Sequence, residues 1–103
     1  YPGSALYRLA KEKQWTLPDG QGGPGWIGYS QHAYECLPLP TDTLAATRVL
    51  DFRDRAFQEY FSHPGYLAML ERTFGPRVVA HVAEMCRHQV RRRHHDQASN
   101  QAA

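Results

Sequence analysis

Six histidines and two cysteines are the residues of this chain best suited to chemistry. His81, Glu84, Met85 and His88 fall within two turns of one helical stretch, where nitrogen, oxygen and sulfur donors could gather around a metal ion. The spacing argues against it. Helical ligand pairs stand four apart, as in His-x-x-x-His, whereas His81 and His88 are seven apart and no clustered cysteine pair accompanies them. They read as surface or half-buried helix histidines, with Cys86 a small apolar core residue. His94 and His95, beside Arg91, Arg92 and Arg93, read as a solvated helix end. Cys36 lies in an aromatic loop, away from any helix start that would lower its pKa, and has no histidine fixed beside it by sequence. No metal ligand and no catalytic residue is assigned from these patterns.

The glycine-rich run at residues 20–25 is preceded by no strand and lacks the Lys-Ser/Thr of a phosphate loop, so it reads as flexible connection. The arginines at 91–93 could meet phosphates. Basic side chains in the last turn of a helix also complement its negative end, and no second basic patch or aromatic platform favours nucleic acid. The net charge of +2 is small. Arg53 borders the apolar stripe of its helix, which predicts a partly buried guanidinium clamping helix to loop. The pairs Asp51/Arg55 and Arg55/Glu59 share a helix face and are worth only ~0.2–0.5 kcal/mol each.

The elements that must position these groups follow from punctuation and periodicity. A chain of 103 residues with 42% hydrophobic content supports one modest core. It begins on Tyr1-Pro2-Gly3 with no initiator Met, as expected of a piece of a longer protein. No run approaches the roughly 20 apolar residues of a membrane span, and no signal sequence opens it, so a soluble, cytoplasmic piece with reduced thiols is expected. Ser4 caps a short helix to Lys13. Residues 16–41 form a long irregular segment rich in proline and glycine, with aromatics in its second half. There Ile27, Tyr29 and Gln31 alternate as a short strand would, until Pro38 and Pro40 end it.

After Pro40 the helical signal is strong. Thr41 and Thr43 offer caps, and a helix runs to Ser62 with Ala46, Val49, Leu50, Ala56, Phe57, Tyr60 and Phe61 on one stripe. His63-Pro64 forces a tight corner. The next helix buries Leu67, Leu70 and Phe74 and closes at Gly75 as a left-handed cap. Pro76 starts a third, with Val79, Val82, Ala83, Cys86 and Val90 inward, running to about His94. The fold class is therefore mainly α: a small three-to-four-helix domain with a long irregular aromatic loop. Its parts are 1–40, 41–95 as three helices, and 96–103 as a disordered tail.

Several of these residues carry a more specific likeness. Pro2-Gly3-Ser4 with Leu6-Tyr7, Tyr29-Ser30-Gln31-His32-Ala33-Tyr34-Glu35, Leu37-Pro38-Leu39-Pro40-Thr41 and the Phe52-Arg53-Asp54-x-Ala56-Phe57 helix resemble the C-terminal portion of cobalamin-binding radical SAM proteins. The group is similar to the anaerobic magnesium-protoporphyrin IX monomethyl ester oxidative cyclase and related iron-sulfur oxidoreductases. The likeness spans nearly the whole chain. It implies a parent enzyme, an oxidoreductase, cyclase or methyltransferase, holding a 4Fe-4S cluster, S-adenosylmethionine and cobalamin in domains outside these residues. Cys36 and Cys86 do not match the Cys-x-x-x-Cys-x-x-Cys cluster motif, so no cofactor ligand is carried over, and the piece alone is expected to be inactive.

On this resemblance residues 1–40 hold the end of the barrel, with Tyr1 to Ser4 the tail of its last strand, then the short helix and the Gly/Pro-rich aromatic loop, and Thr41 to His95 form a helical cap after it. Its implied partners are the radical SAM and cobalamin-binding domains of the same chain. Trp26, Tyr29, Gln31, His32, Tyr34 and Arg53 are the expected substrate-cavity or docking contacts. The alternative is a helical interaction module that dimerises or docks a partner through exposed apolar residues, with a basic nucleic-acid-binding helix third.

Overall fold

The computed structural model describes residues 1–102. It is mainly α, and five helices account for the regular structure among the described residues: α1 (Ala5–Glu12), α2 (Ala46–Ser62), α3 (Pro64–Phe74), α4 (Pro76–Arg87) and α5 (Arg93–Ala102), with one 3-10 turn at Trp26–Tyr29. No helix among them is long and apolar enough to cross a membrane. The backbone divides into two compact units, residues 1–51 with 90–103, and residues 52–89.

In the first unit α1 starts where the sequence places it. Ser4 is extended, and its hydroxyl accepts from the Tyr7 N–H at 3.1 Å while donating to the Tyr1 carbonyl. Ala10, Leu17, Pro18 and Leu50 form the buried apolar positions. The segment 16–41 is irregular as expected, yet it is ordered by its own backbone: the Gly25 N–H reaches the Pro18 carbonyl at 2.8 Å and the Leu37 N–H the Gly28 carbonyl at 2.9 Å. Where alternation suggests a strand, the structure holds a 3-10 turn. Gly25, at φ 87°, redirects the chain, and the Gly28 and Ser30 N–H groups bond three residues back. An extended run with no neighbouring strand leaves its polar backbone groups to water; the turn satisfies them locally.

Thr41 caps a turn and not the helix: its Oγ1 accepts from the Thr43 and Leu44 N–H groups, and α2 opens only at Ala46.

In the second unit the corner at His63-Pro64 is as expected. His63 is extended, its Nδ1 accepts from the Gly65 N–H at 3.0 Å, and Pro64 opens α3. Phe57, Tyr60, Phe61 and Tyr66 gather around it with ring centroids 4.7–5.6 Å apart. Leu70 and Val82 are the buried positions of α3 and α4. Phe74, expected inside, is exposed, and so are Tyr60 and Phe52. With so few helices, the faces they can cover are fewer than the apolar stripes they present.

Gly75 ends α3 and precedes α4 in one step, its N–H bonded to the Glu71 carbonyl, but at φ 88°, ψ 176° it is extended with positive φ rather than the left-handed helical cap expected.

The third helix departs furthest from its expected span. α4 stops at Arg87, His88 leaves helical geometry at ψ 89°, and a non-helical link leads to α5. Where a disordered tail is expected from Asp96, the backbone is helical to Ala102; Ala103 lies outside the described residues. Asp96 in the first turn complements the positive helix end, and it is tied to the aromatic loop.

Candidate functional site

Three clusters of functional side chains stand in the first unit. The earliest in sequence surrounds Asp19. The Tyr7 hydroxyl donates to its Oδ2 at 3.0 Å and the Tyr29 hydroxyl donates to its Oδ1. The Tyr29 bond is the largest influence holding the Asp19 carboxyl below its usual range, against a smaller upward push from burial. Tyr29 responds in kind: desolvation first, then the bond to Asp19 and its charge, drive the phenol well above its ordinary value. The ring so fixed packs against Tyr1 at 6.0 Å and Trp26 at 5.7 Å between centroids. Tyr1 and Trp26 are 77% and 69% exposed, and Ile27 beside them is exposed too. The result is an outward aromatic face on a turn held from beneath.

The turn is held tightly. A Cβ at Gly28 would come within 2.7 Å of Pro18 and of Pro24, so the backbone packs directly on two rigid rings.

The second cluster joins residues 33–35 to the segment 91–96. Tyr34 donates to Asp96 Oδ2 at 2.7 Å, Arg91 donates to the same oxygen at 2.7 Å, and Arg93 lies 3.6 Å from Glu35. Both arginines flank the Tyr34 ring. The Tyr34 bond, opposed by desolvation and reinforced by Arg91, holds the Asp96 carboxyl down. The same bond raises Tyr34. Arg92 is 1% exposed, the one buried charged residue among those described, and donates to the Ala33 carbonyl at 2.9 Å, while the Arg93 N–H reaches the Tyr34 carbonyl. The basic run expected to complement a helix C-terminus instead lies between α4 and the start of α5 and fastens the loop.

The third cluster was expected to be a solvated end. His94 Nε2 and His95 Nε2 each lie 2.8 Å from Asp51 Oδ1, and the three donor atoms fall within 4.8 Å of one another. The His94 side chain is 19% exposed and His95 58%. Burial pushes the Asp51 carboxyl up, but the two imidazoles together outweigh it and leave it below its ordinary value.

Of the residues singled out in the sequence, Trp26 and Tyr29 stand together on the 3-10 turn, and Tyr34 belongs to the second cluster. Gln31 and His32 are exposed on the connection between them. Arg53 is half-buried and lies in the other unit. The buried loop-clamping arginine is Arg92, which no periodicity marks, because its burial depends on a loop sixty residues earlier in the chain. Nor does sequence join Asp51 to His94 and His95; the adjacent histidines were the only sign.

In the second unit, Glu84 receives Arg87 at 2.8 Å and lies 3.5 Å from His88, an exposed helix-surface arrangement. Neither Cys36 nor Cys86 is joined in a disulfide. No protein-family model, no curated protein and no solved structure matches this chain.

Proposed function

We propose that this chain is a non-catalytic C-terminal accessory domain of a cobalamin-dependent radical SAM enzyme, one that caps the barrel and helps to form its substrate site. What supports the reading is the likeness of the Leu37-Pro38-Leu39-Pro40-Thr41 turn and the Phe52 to Phe57 helix to that family, joined to one structural observation: the outward face of Tyr1, Trp26 and Ile27. Large apolar side chains held outward on a braced turn suit burial against another surface. The 4Fe-4S cluster, S-adenosylmethionine and cobalamin belong to the partner domains in this reading, and no residue here is assigned to them.

The test begins with the coding sequence upstream of the Tyr1 codon. A Cys-x-x-x-Cys-x-x-Cys motif there is the expected result, and its absence from the polypeptide defeats the reading. In the enzyme so defined, Trp26→Ala is expected to raise KM or slow turnover while leaving the cluster's absorption intact.

A second reading, a helical module for dimerisation or partner docking, is favoured by the exposure of Phe52, Tyr60 and Phe74 in the second unit. Sedimentation of the chain at increasing concentration separates the two. Self-association lost in Phe74→Ser but kept in Trp26→Ser supports the module.

A further inference from the structure

We propose that Asp51, His94 and His95 form a binding site for a divalent transition-metal ion of the zinc kind. Two imidazole nitrogens and a carboxylate oxygen are the donor set that suits such ions, whereas calcium and magnesium prefer all-oxygen surroundings. Around zinc, with bonds of about 2.0–2.2 Å, tetrahedral donors stand roughly 3.3 Å apart. The two histidine nitrogens are 2.8 Å from Asp51 Oδ1 and all three donors lie within 4.8 Å, so small ring rotations bring them to an ion.

The surroundings leave Asp51 to this task. The neighbouring arginines are already engaged, Arg91 on Asp96, Arg93 beside Glu35 and Arg92 on the Ala33 carbonyl. The ligands come from two elements of one compact unit, the carboxylate from α2 and the histidines from the first turn of α5. The His94 and His95 rings are 4.1 Å apart between centroids, aimed at one oxygen. Adjacent helical residues ordinarily diverge; here both reach one point.

Each imidazole now within hydrogen-bond reach of Asp51 through Nε2 would bind the ion through that same nitrogen in its neutral form, with its proton on Nδ1. Three protein ligands leave a fourth position for water, which makes the site open rather than closed. An ion there would join α2 to α5 and hold the α5 end in place. The inference stands independently of the accessory-domain reading.

The test is titration of the purified chain with Zn2+ against a chromophoric chelator, with Co2+ as a spectroscopic substitute. One equivalent is expected to bind, and His95→Gln, His94→Gln and Asp51→Asn are each expected to weaken binding at least about 10-fold, the lower end of the loss typical of residues that only support a ligand. His81→Gln, His88→Gln and the Cys36→Ser/Cys86→Ser double variant are expected to bind as the parent does. The Co2+ spectrum is expected to lack a thiolate charge-transfer band. His95 is the most exposed of the three, so His95→Gln tests the site without endangering the fold, with far-ultraviolet circular dichroism as the check. Unchanged affinity in a folded His95→Gln, or affinity lost in His88→Gln or the cysteine variant, overturns the proposal.

Discussion

Arg92 is the residue on which the first unit turns. A guanidinium is rarely enclosed unless its donors are satisfied, and here one of them meets the Ala33 carbonyl of the aromatic loop. Among the described residues no buried side-chain nitrogen or oxygen lacks a partner. Arg92→Met, which keeps the apolar stem but removes the donors, is expected to cost about 1.5–3 kcal/mol by removing a charge-assisted hydrogen bond and leaving the Ala33 carbonyl to the Cys36 N–H alone, read as a fall in the urea midpoint. Arg92→Lys is expected to recover only part of the loss, since an ammonium cannot reproduce the planar fork.

The carboxylates give a residue-level prediction in pH. Asp19, Asp51 and Asp96 all titrate below their ordinary value in the folded chain. Their contribution is therefore present above the unfolded carboxyl value of about 3.9 and is lost as pH falls through the folded values. Tm is expected to be level near neutrality and to drop below about pH 4, with a shallower drop in Asp96→Asn. Tyr29 and Tyr34 are raised, so the opposite sign applies to them. Their contribution is complete below the unfolded phenol value near 10 and is lost as pH climbs through the folded values.

Among the elements, the 3-10 turn and the α3–α4 junction each depend on one glycine. Gly28→Ala would drive a methyl group into Pro18 and Pro24, neither of which can rotate away, and is expected to cost about 1–3 kcal/mol. Gly75 faces no crowding, and its constraint is conformational: at φ 88°, ψ 176° it occupies a region open almost only to glycine. Gly75→Ala is expected to cost about 1–3 kcal/mol as strain. Thermal unfolding followed at 222 nm checks both, and loss of Trp26 anisotropy is expected in Gly28→Ala alone. Gly75 is visible in the sequence as a helix end, but Gly28 falls in the run that alternates as a strand would, and the packing of prolines against it depends on the path of the loop.

For the whole molecule, the consequence is that the last part of the chain belongs with the first. Residues 90–103 share a compact unit with residues 1–51, through the Tyr34–Asp96 bond, the Arg92 donation and the Asp51–histidine cluster. A chain truncated after Gln89 is expected to lose amide protection at Leu37 and fluorescence rigidity at Trp26, while α3 and α4 keep theirs. Equal protection in the truncated and intact chains would show that residues 90–103 do not order the loop.

Local rules written in the sequence determined the helical class, the Ser4 cap, the His63-Pro64 corner and the starts of α3 and α4. Caps, prolines and glycines act within a few residues, so their effects can be read where they stand. Nothing local ends α4 at Arg87, since no proline or glycine lies between Pro76 and Ala103. That break exists because Arg92 is buried on Ala33 and Asp96 is bound to Tyr34, and both partners lie some sixty residues away along the chain. The same holds for the meeting of His94 and His95 with Asp51. Composition announced the histidines, but their convergence on one carboxylate oxygen brings together residues more than forty positions apart, which only the folded chain decides.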